Sequence, residues 1–228
     1  MNKAVFCLAL VLSILTITTS DSQEIIDEFE LVPVVWEADW AHSKHWAFVV
    51  DTSHSIFGDI TGVRQNRFGK IVHAISKFSG SDYNKFCAVA FNDMCILSYV
   101  PYFKWRVGTP ENLVAMEEWL NKPDNQGTMS YAGSAISRAL KQRVKELTIF
   151  IISDGGFTEG PDVINKIIAK GQADRIAKGF GEAVICTIGI ENHTPPGYPK
   201  PSDDICQSWM RNIGTFGKGG YFYVRLRK

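Results

Sequence analysis

The 228-residue chain has no surplus of charge of either sign: 24 Lys and Arg stand against 24 Asp and Glu. Without a basic excess it lacks the footprint by which nucleic-acid binders neutralise phosphates. It equally lacks the polybasic surplus that draws a protein to an anionic membrane surface. No apolar run reaches the length of an ordinary membrane span. The longest, residues 4–19, falls short of the roughly 20 apolar residues a membrane helix needs and thins into Ser and Thr. Enzyme signatures are missing too. There is no Gly-x-Ser-x-Gly elbow and no His-Glu-x-x-His. The glycine-rich stretch 214–220 is too short for a phosphate loop and precedes a strand instead of a helix. The five histidines (42, 45, 54, 73 and 193) are scattered, with no Cys or acidic cluster at metal-ligand spacing, and read as packing or surface residues.

What is present describes a globular chain with a core: 45% hydrophobic and 21% charged residues. The amino terminus is set apart. One positive charge at Lys3, an uncharged apolar stretch and the small residues Thr18-Thr19-Ser20 read as a cleaved signal peptide over residues 1–20. An uncleaved anchor is the alternative. Cys7 lies inside the apolar run, which does not suit a lipoprotein. Removing residues 1–20 leaves 23 basic against 24 acidic groups, a net charge of −1, in a secreted chain that is extracellular or periplasmic. Residues 21–42 then form an N-terminal segment before a domain at 43–228.

Four cysteines remain, Cys87, Cys95, Cys186 and Cys206. Residues 86–91 and 94–100 read as two strands of a hairpin turned at Asn92-Asp93. In that register Cys87 and Cys95 stand several rungs apart, too far for a bond. Whether Cys186 and Cys206 pair is left open.

The rest alternates strand-like and helix-like segments. Apolar runs at 45–51, 147–153 and 183–190 read as buried strands, with a last strand at 221–224. Helical spacing appears at 58–78, 110–120, 131–141, 162–178 and 203–213. The four-proline stretch 193–201 reads as a turn-rich connection. Apolar strands separated by helices predict an α/β fold: a doubly wound, mainly parallel sheet with helices on both faces, a Rossmann-like three-layer sandwich.

Three segments converge on one chemistry. Asp51-Thr52-Ser53-His54-Ser55 stands at the end of the first buried strand, and Asp154 ends another, followed by Gly155-Gly156. Thr128 sits in a loop before a helix. Two carboxylates and three hydroxyls are oxygen-only donors, the set a hard cation such as Mg²⁺ takes. In an open parallel sheet, ligands gather at strand carboxyl ends where strand order reverses. Singly, each piece also has a structural explanation: Asp51, Ser53 or Thr128 as a helix cap, Asp154-Gly155 as a turn.

Taken in order, Asp-x-Ser-x-Ser, Thr128 and Ile152-Ser153-Asp154-Gly155 resemble the von Willebrand factor type A domain family with its metal-ion-dependent adhesion site. The resemblance covers roughly residues 43 to 228. It implies one antiparallel edge hairpin, near residues 86–100. It also implies Mg²⁺, with Mn²⁺ able to substitute, held by Asp51, Ser53, Ser55, Thr128 and Asp154. Ser53 and Ser55 would be direct ligands, and Thr128 and Asp154 would exchange direct and water-mediated contact as the helix at 203–213 moves. The implied partner is a protein that supplies a carboxylate. The expected function is therefore an adhesion-type protein-binding module and not an enzyme. Two alternatives stay open, a metal-assisted hydrolase and a structural subunit with a vestigial site. The residue two positions after Asp51 is Ser53, so the second acid of a strand-end aspartyl phosphatase is missing.

Overall fold

The computed structural model describes residues 29–35, 43–53, 56, 85–93, 102–125, 127–190 and 203–226. Seven strands form one sheet in the order β1-β7-β6-β5-β2-β3-β4, with β1 Phe29–Val35, β2 His45–Asp51, β3 Lys85–Phe91, β4 Tyr102–Val107, β5 Leu147–Ser153, β6 Val184–Ile190 and β7 Lys218–Leu226. The inner pairs β3–β2, β2–β5, β5–β6 and β6–β7 are parallel, and the outer pairs β4–β3 and β1–β7 are antiparallel. Four described helices cover it: α1 Pro110–Leu120, α2 Ala132–Leu140, α3 Pro161–Ala177 and α4 Asp203–Phe216. The sequence's mainly parallel α/β sandwich is what the chain forms.

Unbroken apolar strands follow from burial on both sides. Phe48, Val50, Ala88, Phe150, Ile152 and Ile188 pack on the face that carries Leu113, Met116 and Leu120 of α1. Their strand neighbours Val49, Val89, Ile149, Ile151 and Ile185 meet Ile136 of α2, Ile164 and Ile168 of α3, and Met210 and Ile213 of α4. Alternation along β6 also settles the cysteines. Cys186 belongs to the first face, while Thr187 next to it donates its hydroxyl to the carbonyl of Met210 on α4. Cys206 lies one turn before Met210 on α4, so the sheet separates it from Cys186. Cys87, Cys186 and Cys206 are buried thiols outside any disulfide, and burial pushes that of Cys186 up to about 12. Cys95 lies outside the described residues.

Two expectations need correction at the edges. The described antiparallel partner of β3 is Tyr102–Val107, and the strand expected at 94–100 lies outside the described residues. The register slips between Phe86 and Ala88, so that Cys87 opposes both Lys104 and Trp105. This bulge brings Tyr102 and Trp105 onto one face, though they are three apart, and breaks the period-two pattern by which a strand is recognised. At the opposite edge, β1 comes from within the segment assigned ahead of the domain. Pro33 disqualifies it as an inner strand but suits an edge, and the ladder with β7 is irregular between Pro33 and Val35.

One buried charge holds the helical layer. Arg175 of α3, 2% exposed, donates to the carbonyl of Leu140 at the end of α2, to those of Gln142 and Val144 just beyond it, and to that of Gly181. Arg175→Ala would leave those carbonyls without their charged donor. It is expected to cost about 3 kcal/mol in urea unfolding.

Residues 1–28, the helix expected at 58–78 and the stretch 193–201 lie outside the described residues. Among the described residues, no helix is long and apolar enough to cross a membrane.

Candidate metal centre

From β2 the chain proceeds to β3 and β4 on one side, and later strands β5, β6 and β7 lie on the other. The direction of strand order therefore reverses between β2 and β5, the position at which open parallel sheets bind ligands outside the strand carboxyl ends. Asp51 ends β2 and Ser153 ends β5, with Val50 and Ile152 paired in register just before them. Asp154 follows at once. The topology thus sets two of the sequence-predicted acids side by side.

Asp51 is fully buried, and both its oxygens are engaged. Oδ1 accepts the backbone N–H of Ser53 at 2.9 Å and the Ser130 hydroxyl at 3.4 Å; Oδ2 accepts the Ser153 hydroxyl at 2.7 Å. Burial pushes its carboxyl up to about 7, and the charge of Asp154 adds to the rise, while the hydrogen bonds from Ser153 and Ser53 oppose it. Asp154 is 1% exposed and accepts the Gly156 N–H at 2.9 Å in a turn. Gly155 in that turn has φ +81°, and a Cβ there would run into the carbonyl of Cys206. Helix α4 consequently packs straight onto the loop that carries Asp154.

The third segment is tied to the first by its backbone. Ser53 and Gly127 form a parallel bridge, and the Gly127 N–H donates to the Thr52 carbonyl at 3.1 Å. Thr128 is exposed at this loop and donates its hydroxyl to Asp93 Oδ2 at 3.1 Å. It is not a helix cap: Tyr131 occupies the N-cap of α2, and the carboxylate of Glu159 takes the Gly133 N–H at 3.1 Å. The Asp154 and Thr128 loops are further joined through Thr158, whose N–H donates to the Ser130 carbonyl at 2.9 Å.

Of the five candidate ligands, Asp51, Ser53 and Asp154 lie at the neighbouring ends of β2 and β5, Thr128 follows the Gly127 that bridges to Ser53, and Ser55 lies outside the described residues. Sequence reasoning passed over Ser130, Ser153, Asn92 and Asp93. Ser153 was legible in principle, because a hydroxyl at the end of an otherwise apolar buried strand needs a partner. The donor chemistry fits a hard cation. Asp51 lies beside the charge of Asp154, and its side-chain neighbours Ser130 and Ser153 are hydroxyls. Among the described residues, no group of three His, Cys, Asp or Glu forms a metal cluster. His45 instead packs edge-on to Trp105, with Nδ1 3.0 Å from the Lys145 carbonyl.

No protein-family model matches the chain, and no curated protein matches it. Among solved structures, it is similar to the pilus adhesin SpaC from Lactobacillus rhamnosus GG in an open conformation, at 11% identity and a TM-score of 0.53. The match covers 78% of this chain and 27% of the adhesin, so the chain spans about a quarter of that protein's length. At that identity the likeness is one of fold: a mainly parallel α/β sheet of the kind found in a pilus adhesin.

Proposed function

We propose that the chain is an exported binding module of the von Willebrand factor type A kind. In this reading Asp51, Ser53, Ser55, Thr128 and Asp154 hold Mg²⁺ or Mn²⁺, and a protein partner binds there through a carboxylate. The observation that carries the reading is the pairing of Asp51 and Asp154 at the switch point, with hydroxyl donors around them. A bound divalent cation would neutralise the two acids and offer a Lewis-acid position to the partner's carboxylate oxygen. The chain's own part is to keep that position preorganised. Ser53 N–H, Ser130 and Ser153 fix the Asp51 carboxylate, and the Gly127 bridge fixes Thr128 relative to Ser53. The signal-like residues 1–20 and the adhesin fold support an extracellular setting.

A carboxyl group poised near pH 7 also suits a general base. Asp51 is nonetheless fully buried and both its oxygens already accept hydrogen bonds, a setting that suits contact with a small ion better than with a bulky substrate. The binding reading is therefore preferred over the hydrolase.

The test presents bead-bound peptides that contain Asp or Glu, and matched peptides with Asn or Gln, to residues 21–228. Retention is expected only on the acidic peptides and only with Mg²⁺ or Mn²⁺. Equal retention in the presence of a chelator, or on the amide peptides, would overturn the reading.

A further inference from the structure

We infer that Asp93, a residue outside the proposed ligand set, is a positioning residue that orients the Thr128 hydroxyl for cation binding. The inference rests on the proposed metal site and adds to it. A threonine hydroxyl has one proton and two lone pairs. In this structure the proton goes to Asp93 Oδ2 at 3.1 Å, which leaves the lone pairs for acceptance. A hydroxyl whose proton is drawn away by a carboxylate is both oriented and more basic, and outer partners of this type hold ligating side chains in place.

The surroundings show that the contact is built. Asn92, fully buried, donates through Nδ2 to Thr52 Oγ1 at 3.1 Å and to the Asn125 carbonyl at 2.7 Å. Its own carbonyl accepts the Tyr131 N–H at 3.4 Å. The end of β3 thereby grips the Asp51–Ser53 turn on one side and the 125–131 loop on the other. Gly127 lies so close that a Cβ there would run into the side chains of Asp93 and Asn92. The absence of a side chain at position 127 is what lets Thr128 come within reach of Asp93. Asn92-Asp93 is thus an anchor for the Thr128 loop.

The experiment is a Mg²⁺ titration by calorimetry at pH 8 on residues 21–228. It compares wild type, Asp93→Ala, Asp93→Asn, Thr128→Ala and the Asp93→Ala/Thr128→Ala double variant. Melting curves confirm that each is folded. Asp93→Ala is expected to weaken Mg²⁺ by about 10- to 100-fold. Asp93→Asn keeps an acceptor oxygen and is expected to recover most of that loss. In the Thr128→Ala background the Asp93→Ala change is expected to have no further effect, because the group it orients is gone. Wild-type affinity in Asp93→Ala overturns the inference and leaves the metal site standing. An Asp93→Asn variant as weak as Asp93→Ala, or additive losses in the double variant, overturns it as well, since Asp93 would then act by its charge alone. If Asp93→Ala does not fold, the Asp93→Asn and Thr128→Ala titrations decide alone: near-wild-type affinity in the first with a loss in the second supports the inference, and any other pattern overturns it. No Mg²⁺ binding by wild type sinks the metal reading itself, and this inference with it.

Discussion

At pH 8 and without divalent cations, Asp51→Asn is expected to melt higher than the wild-type protein. Most substitutions of a fully buried, hydrogen-bonded residue destabilise, so the sign is diagnostic. Burial and the charge of Asp154 raise the Asp51 carboxyl from 3.8 to about 7 in the folded chain. The folded state therefore binds a proton more tightly than the unfolded state does. Stability from this group is fully present below about pH 4, falls as pH rises, and is lost above about pH 7. At pH 8 an ionised Asp51 opposes folding, and a neutral amide removes that opposition. The Ser153 and Ser130 hydroxyls can rotate to suit an amide, although one hydrogen bond changes direction. The net gain is expected to be on the order of 2 kcal/mol, or about 5 °C in Tm. Differential scanning calorimetry at pH 8 and at pH 5 checks it. The variant's advantage should vanish at pH 5, where wild type already carries the proton.

A second large effect follows from the same carboxyl. Cation and proton compete for Asp51, so Mg²⁺ affinity is expected to fall about tenfold for each pH unit below about 7 and to level off above pH 8. Binding at pH 6 should release close to one proton, measurable by calorimetry in buffers of different ionisation enthalpy. Because a ligand of the native state stabilises it, the rise in Tm with Mg²⁺ should be large at pH 8 and small at pH 5.5. A flat affinity across this range would remove Asp51 from the ligand set.

Much of this arrangement could be read from the chain before any coordinates. Long apolar runs ending in an acid mark buried parallel strands whose carboxyl ends meet at a reversal of strand order, and β2 and β5 are neighbours there as expected. The edges were harder. Residues 102–107 lose their alternation to the bulge opposite Cys87, and residues 94–100, apolar and close by, looked like the better strand. Asn92-Asp93 has the composition of a tight turn, but its side chains are committed to Thr52, Asn125 and Thr128. Local propensity cannot show a commitment made across more than 30 residues of chain. The same distance hides Ser130 and Ser153: only folding brings them to Asp51, 79 and 102 positions away. Phe29–Val35 was obscured by Pro33, which only an edge position tolerates.

In the proposed reading, Asp51 and its neighbours bind a divalent cation. The most direct measurement is a calorimetric titration of MgCl₂ into residues 21–228 at pH 8, for wild type and Asp51→Asn side by side. One saturable site is expected in wild type and none in Asp51→Asn, with the variant shown to be folded by its melting curve. Equal binding by the two proteins, or none by wild type, would contradict it.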